Sequence, residues 1–394
     1  MRLFLGTVVL LALVGVPGWL IYEGQDLTEI DDADLRVRLL VLRSKDNAYT
    51  YLERAAAELS WSEGAQTSSD LLDKNRYALR HLVDALSASQ LQVPNPALPG
   101  EEAPMLASWV HLGKLLAQRA RLRMSYRQQR LALADGLATV RLGRMIAGAR
   151  GGTLLLALTG TDIKGMGLDA LDDIVTSTQL SSGRARRLIR ELEALRSDPA
   201  ARSRMWAAEY QSIKAHAIEG FGSGFAAPAA RDGVFGGLSR LAIRLAPKSY
   251  IFHPNRTFDE LAASYRQLQS DARLVCSQLS AASELETRYQ YTGWRALVAP
   301  NGVGHLYLSL AVPDYRDFEH RRCLADTRIS LLQTRLAVGA YRSDNGTLPE
   351  SLGALVPNYA RTLPPDGFAG TPLQYSRPRS ELWSPADPSL SVTF

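Results

Sequence analysis

The chain has 394 residues, of which 46% are hydrophobic and 22% are charged, and its formal net charge at pH 7 is +5. A chain of this length and hydrophobic content can build one large or two moderate cores, and its composition excludes wholesale disorder. Basic and acidic residues are mixed along most of the sequence. Nucleic-acid-binding proteins instead concentrate basic residues in one patch with aromatic side chains between them, so no nucleic-acid partner is predicted.

The N-terminal segment, residues 3–22, is a run of twenty residues without a charge. A helix of that length measures about 30 Å, which is the thickness of the hydrocarbon core of a bilayer. Arg2 precedes the run and several acidic residues follow it from Glu23 onward, so the remainder of the chain is predicted to be translocated. A cleaved signal peptide is the alternative, but no small-x-small cleavage site follows the apolar core. Residues 1–22 are therefore predicted to be a transmembrane signal anchor.

The middle of the chain is predicted to be helical, because apolar residues recur there at helical spacing. The predicted helical stretches are 34–60, 71–91, 104–150, 168–177, 182–195, 201–218, about 257 to 285, and 321–341. Residues 93–100 contain three prolines and are predicted to be a linker, and residues 220–237 contain six glycines and are predicted to be a loop. Residues 302–312 permit a strand or a loop.

These patterns predict a mainly α fold with four segments. They are the transmembrane anchor (1–22), a helical stalk and linker (23–100), a multi-helix extracytoplasmic domain (101–322) and a small α+β module (323–394). Thr257 or Asp259 is predicted to cap the helix that follows the HPNRT segment.

The most basic stretch of the chain lies between residues 119 and 150. Its first five arginines are Arg119, Arg121, Arg123, Arg127 and Arg130, and Arg141, Arg144 and Arg150 continue it. One interpretation is a contact surface for anionic lipid headgroups or an acidic partner. The other, which we favour, is a solvated helix face whose arginine stems cover apolar surface.

The only two cysteines are Cys276 and Cys323. Outside the cytoplasm they could form a disulfide, which would stabilise the fold by roughly 4 kcal/mol on chain entropy alone. They could equally remain two buried thiols that act as small hydrophobic residues. The sequence leaves both alternatives open.

No local motif points to catalysis, a cofactor or a metal. The six histidines do not form HExxH spacing, and the chain lacks GxSxG, GxxxxGK[ST] and an acid-partnered GxGxxG. The adjacent acids Asp172 and Asp173 are predicted to diverge on a helix rather than share a site. A catalytic site assembled from distant residues would leave no such signal.

The C-terminal segment carries the most specific pattern. Apolar residues at 329, 332 and 336 share one helix face, Gly346 is placed to end that helix, and Pro349 can open a short one. The segment YRSDNGTLPESLGALVP, residues 341–357, and its flanks over about 323–390 resemble the globular part of the major pseudopilin of type II secretion systems.

Two departures limit what this resemblance implies. Residues 3–22 lack the peptidase motif and the glutamate of a pseudopilin, and residues 383–388 lack its acid-rich calcium loop. Filament assembly and calcium binding are therefore not expected. The whole layout is similar to a family of bacterial membrane-anchored proteins, which implies the inner membrane with the C-terminal domain in the periplasm, and no reaction.

Together these features predict a non-enzymatic envelope protein, a scaffold or binding module linked to secretion or surface assembly, with the membrane and an envelope protein as partners. The alternative is an extracytoplasmic hydrolase or other enzyme with a dispersed site. A deep pocket with converging ionisable groups would favour the enzyme, and a broad exposed surface would favour the binding module.

Overall fold

The computed structural model describes residues 25–61, 68–95, 97, 104–222, 252–279, 300–312 and 315–394. Within these residues the fold is mainly α-helical with one small antiparallel sheet, as predicted. None of the described helices combines the length and the apolar character needed to cross a bilayer. The predicted anchor and most of the predicted glycine-rich loop lie outside the described residues.

Between residues 68 and 222 each helix overlaps a predicted amphipathic stretch. The described helices are α1 (Ala48–Ala57), α2 (Ser68–Lys74), α3 (Arg76–Ser87), α4 (Leu106–Ser125), α5 (Gln129–Ala147), α6 (Leu154–Thr176), α7 (Ser182–Glu193), α8 (Pro199–Gly222), α9 (Pro254–Asp271), α10 (Gly302–Ala311) and α11 (Tyr315–Asn345). The strands are β1 (Gln374–Ser376), β2 (Glu381–Trp383) and β3 (Ser391–Thr393), paired in that order.

The chain divides into two compact units that differ from the four predicted segments. The first comprises Met1–Arg36, Tyr210–Gln269 and Ala281–Asp314, and the second comprises Val37–Glu209, Ser270–Ser280 and Tyr315–Phe394. The predicted linker begins inside the second unit, because the Val93 amide donates to the Arg150 carbonyl at 3.0 Å. The predicted boundary at 322 falls within α11, which is continuous there.

The second unit is built on the close crossing of α5 and α6. Gly143 and Gly160 meet at this crossing, where a Cβ on Gly143 would lie 2.5 Å from the Gly160 carbonyl oxygen and 2.7 Å from the Lys164 Cα. Only glycine permits backbones to approach this closely. The crossing brings Lys164 on α6 beside the C-terminal half of α5.

The C-terminal module packs on the last turns of α11. Gly346 has φ of +73° and ends that helix, as predicted. Leu355 and Leu382 are fully buried in the module's core, and Tyr375 pairs with Leu382 across β1 and β2. The predicted helix, short turn and strand are therefore present in the predicted order.

Several predicted elements are wrong in extent or type. Helix α6 begins at Leu154 instead of 168, and α11 begins at Tyr315 instead of 321. The helix predicted over 34–60 exists only as α1, because the Gln92 side-chain amide bonds both the amide and the carbonyl of Leu40 and holds that segment extended. Residues 302–312 form the helix α10 instead of a strand or loop. Helix α9 begins at Pro254 and ends at Asp271, where a turn follows, instead of reaching 285.

The start of α9 also differs from the predicted cap. Asp26, in the first unit, accepts the amides of Asn255 at 2.9 Å and of Arg256 at 2.8 Å. Thr257 lies inside the helix, and its hydroxyl donates to the carbonyl of His253. A carboxylate distant in sequence thus satisfies the free amides at this helix end, which local spacing cannot indicate.

Candidate functional site

A cavity of about 370 Å³ opens in the second unit beside the C-terminal half of α5 and the first turns of α8. Its lining is dominated by one sign of charge. The cationic side chains that line it are Arg141, Arg144, Arg150, Lys164, Arg202, Arg204 and Arg322. Asp198 is the one carboxylate that lines it.

The mouth cations are the four lining cations Arg141, Arg144, Arg150 and Arg204, each of them exposed or half-buried. Two helices and a turn supply them. Arg141 and Arg144 lie three positions apart on α5, and residues with this separation share a helix face. Arg150 follows that helix, where it is fixed by the backbone pairing with residues 91 and 93. Arg204 lies in the second turn of α8, whose first turn is capped by Asp198 through the Ala200 amide at 2.9 Å.

Among the described residues, Asp198 is the one carboxylate that forms an ion pair with a mouth cation. Arg204 lies 3.9 Å from Asp198, and its Nε is buried without a hydrogen-bond partner. The Nε of Arg150 donates to the Gln90 amide oxygen at 3.0 Å, and the Nε of Arg144 to a backbone carbonyl at 3.2 Å. Burial, and then the charge of Arg150, hold the pKa of Arg204 below its ordinary value. A neutral oxygen accepts a hydrogen bond but leaves the guanidinium charge uncompensated.

The back wall of the cavity is a buried ion network. Lys164, whose side chain is 4% exposed, lies 2.9 Å from Asp326. Arg322 lies 3.4 Å from Asp326 and 2.6 Å from Glu319, and Arg202 lies 2.8 Å from the same Glu319 oxygen. Here each cation has a carboxylate partner, as the cost of burying a charge requires.

The pKa values of this network follow from burial and pairing. Burial alone would raise the pKa of Asp326, but the Lys164 and Arg322 cations outweigh it and hold that pKa below its ordinary value. Burial lowers the pKa of Lys164, and Asp326 opposes that shift. Burial also lowers the pKa of Arg202 to about 10, so this group stays charged at neutral pH.

The charges of the cavity do not cancel. Among the described residues, the three carboxylates Asp198, Glu319 and Asp326 pair with four of the seven lining cations, so the seven cations exceed these acids by four positive charges. A concave site with an excess of one sign attracts counter-ions and holds them more strongly than a flat surface does. The arrangement can bind an anion.

The five arginines predicted as an anionic-surface contact are not brought together for that role. Arg119 donates two hydrogen bonds to Asp135 at 3.0 and 2.7 Å, and Arg123 lies 2.7 Å from the same carboxylate. Arg121 pairs with the exposed Asp173 at 3.3 Å. The remaining two, Arg127 and Arg130, are exposed. The acid pair Asp172 and Asp173 does diverge, since Asp172 pairs with Arg335 instead.

The two cysteines meet as a disulfide, with Cα atoms 6.5 Å apart. Cys276, Cys323 and Glu319 also place one ligand atom each within 4.8 Å of one another. This set suits a metal ion poorly, since the sulfurs are bonded together and Arg202 and Arg322 occupy the carboxylate. Arg322 also reaches the sulfur of Cys323 at 2.9 Å and that of Cys276 at 3.3 Å.

The first unit contains a different polar cluster. Tyr210 donates to Asp32 at 2.7 Å, and Lys214 pairs with the same carboxylate oxygen. Burial would raise the pKa of Asp32, but hydrogen bonds from Lys214 and Tyr210 and the Lys214 charge outweigh it and lower that pKa. The cluster is balanced in charge and holds the chain just after the predicted anchor against α8.

Only part of the cavity carried a signal in the sequence. Arg141, Arg144 and Arg150 were visible as the continuation of the basic stretch. Lys164 gave no such signal, because α6 also carries four aspartates and a cation among them is typical of a solvated helix face. Its partner Asp326 is 162 residues away, and no local pattern could have identified it.

Comparison with protein-family models, with curated proteins and with solved structures finds no match for this chain. The comparisons therefore add no function to transfer. The inference of function rests on the geometry and the charge of the cavity.

Proposed function

We propose that the protein is a membrane-anchored envelope protein whose extracytoplasmic domain binds an anionic ligand in the basic cavity without transforming it. The observation that carries this proposal is the excess of four positive charges in the cavity. Guanidinium groups remain charged throughout the physiological pH range and hold anions through paired N–H donors. They do not exchange protons with a substrate as a general acid or base does.

The location in this proposal is supported by the sequence. The uncharged run of residues 3–22, with Arg2 before it and acidic residues after it, suits a single-pass bacterial inner-membrane anchor with the domain in the periplasm. The pseudopilin-like pattern of residues 341–357 supports a link to secretion or surface assembly, through an envelope protein partner. Repeated affinity purification of the detergent-extracted chain without any envelope protein would contradict that link.

Anion binding is tested with the purified full chain in detergent, by calorimetric titration with inorganic phosphate. The test variant replaces Arg150 and Arg204 by alanine, and the matched control replaces the exposed Arg130 and Arg187, so both variants lose two charges. We expect the test variant to bind at least about tenfold more weakly, since each contact of a guanidinium with an anion contributes about 1.5–3 kcal/mol. The control is expected to bind like the unaltered protein.

Two results would contradict anion binding at this site. One is the absence of saturable phosphate binding at low ionic strength, where screening is weakest. The other is an equal loss of affinity in the test and control variants, which would mean that net charge, and not the cavity, governs binding.

An enzyme is the second candidate, and one contact favours it. The Ser197 hydroxyl lies 3.5 Å from the Nζ of Lys164 and 3.1 Å from Asp326, at the wall of the cavity. A serine beside a buried lysine can act as a nucleophile when the lysine is neutral. The Ser197 amide also donates to Asp326, at 3.2 Å, which ties the serine into the ion network. Covalent labelling by a fluorophosphonate, absent in Ser197→Ala, would support the enzyme over the binding protein.

A further inference from the structure

We infer that the ligand of the basic cavity is a phosphate monoester that carries an apolar substituent. This inference rests on the proposed anion-binding function and specifies the class of ligand. It is drawn from the number of uncompensated charges, from weakly paired arginines at the mouth of the cavity, and from the apolar part of the cavity wall.

The charge of the cavity favours a dianion over a monoanion. Four positive charges remain after the pairing of Asp198, Glu319 and Asp326, and a carboxylate or a sulfate ester would neutralise only one of them. A phosphate monoester carries close to two negative charges above its second pKa of about 6. It also offers three strong acceptor oxygens, which match several guanidinium groups at once.

Weakly paired arginines at the mouth of the cavity support an oxygen-rich ligand. Arg141 makes no ion pair within the described part of the chain, and Arg204 lies 3.9 Å from Asp198. Guanidinium groups can donate to several oxygens of one phosphate at once. The neighbouring Arg150 also lowers the pKa of Arg204, after burial itself, so an anion between the two would relieve their repulsion.

Another part of the cavity wall is apolar. Leu86, Leu91, Met145, Met205 and Phe318 contribute to the lining; of these, Leu86 and Met145 are half-buried, whereas the other three are buried. The volume of about 370 Å³ lies in the range of cavities that accept organic ligands and exceeds the space one phosphate ion needs. An inorganic ion would leave the accessible parts of Leu86 and Met145 uncovered, whereas an alkyl or aryl substituent would cover them.

The closing experiment compares four soluble anions on the full chain in phosphatidylcholine nanodiscs. They are inorganic phosphate, hexyl phosphate, hexyl sulfate and hexanoate, titrated at about pH 8.5, well above the second pKa of either phosphate, so that both are dianions. We expect hexyl phosphate to bind about tenfold more tightly than phosphate, which corresponds to the burial of about two methylene groups. It should also bind more tightly than hexyl sulfate and hexanoate, which share its chain but carry one charge.

Two variants separate the contributions of charge and apolar surface. Met145→Gln should reduce the affinity for hexyl phosphate towards that for phosphate, and an unfolding curve like that of the unaltered protein shows that this variant is folded. The variant that lacks Arg150 and Arg204 should lose affinity for all four anions. The double arginine variant therefore tests whether the cavity binds the anionic group. The methionine variant tests whether the cavity binds the apolar substituent.

Nanodiscs that contain phosphatidic acid distinguish a lipid headgroup from a soluble ester. If the lipid abolishes the binding of hexyl phosphate, the phosphate group comes from a lipid of the membrane. If it does not, a free ester is the source, and both results support the ligand class.

Equal affinities for phosphate and hexyl phosphate, or for hexanoate and hexyl phosphate, would overturn the inferred class and leave the anion-binding function standing. Failure of all four anions to bind would instead overturn the proposed function itself.

Discussion

Two groups of arginines that are close in sequence have different roles in the second unit. Arg119 and Arg123 both contact Asp135, whose side chain is 4% exposed, so a single buried carboxylate binds two cations. Arg144 and Arg150 follow later in the same basic stretch; their partners are a backbone carbonyl and a side-chain amide oxygen, and both line the cavity. The comparison shows that the position of the nearest carboxylate, and not the density of arginine in the sequence, decides which cations are available to a ligand.

The acids near the cavity are already engaged on its inner side. Asp326 and Glu319, both on α11, pair with Lys164, Arg202 and Arg322. Of the mouth cations, only Arg204 lies within 4 Å of a carboxylate, Asp198, among the described residues. The site thus combines a paired back wall, which gives rigidity, with a mostly unpaired mouth, which gives affinity for anions. Four changes test this division, and they are ordered from the largest expected effect to the smallest.

Asp326→Asn should lower the free energy of unfolding by about 3–5 kcal/mol, because Lys164 would remain buried beside a neutral amide. Chemical denaturation of the purified chain measures this change. The double variant Lys164→Met with Asp326→Leu is the control, since removing both charges together is far less costly than removing one. A single variant as stable as the double variant would show that the back wall is not a paired network.

The pH dependence of the same residue has a defined sign. The pKa of Asp326 is lowered in the folded protein, so the carboxylate stabilises the fold above its ordinary pKa of about 4. That contribution is lost as the pH falls through the lower, folded-state pKa. The difference in stability between the unaltered protein and Asp326→Asn should therefore narrow in acid and be largest near neutral pH.

Removal of the disulfide, by changing Cys276 and Cys323 to alanine, should lower the free energy of unfolding by about 2–4 kcal/mol. The reason is the larger freedom of the unfolded chain, because the two residues are separated by 47 positions. Reduction of the unaltered protein should produce a similar loss and should have no effect on the variant. An unchanged unfolding curve under reductant would mean that the disulfide does not restrain the unfolded chain.

Asp135→Asn should lower the free energy of unfolding by about 1–3 kcal/mol, because Arg119 and Arg123 would remain partly buried without a carboxylate. The same substitution also tests whether a missing carboxylate makes arginines available to a ligand. Arg119 and Arg123, without Asp135, should bind a second phosphate ion with lower affinity than the cavity does. The number of phosphate ions bound per chain, measured by calorimetry, should therefore rise. If the stoichiometry stays at that of the unaltered protein, the absence of a carboxylate is not sufficient to create an anion site.

Arg141→Ala should have the smallest effect on stability, within about 0.5 kcal/mol, because the residue is exposed and has no ion pair among the described residues. The affinity of this variant for phosphate should nevertheless fall several-fold, and its affinity should depend less steeply on salt concentration than that of the unaltered protein. A fall in the melting temperature as large as that of Asp135→Asn would show that Arg141 is structural.

The sequence by itself determined most of the helices of this protein. Apolar spacing predicts α4, α5, α7 and α8 in order and the second half of α6. Asp198-Pro199 is predicted to separate α7 from α8 and Gly346 to end α11, as the structure has them. These features depend on residues within a few positions of one another, and local backbone preferences are sufficient for them. Where a distant side chain intervenes, as Gln92 does at Leu40, the same spacing predicts a helix that does not form.

Only the tertiary structure decided the cavity. Its cations come from positions 141 to 322, and Lys164 is separated from Asp326 by 162 residues, so no local spacing brings them together. The glycine contact between α5 and α6 and the disulfide of Cys276 with Cys323 are likewise set by packing. Charge pairing depends on distance in space and on burial, and both are properties of the folded chain.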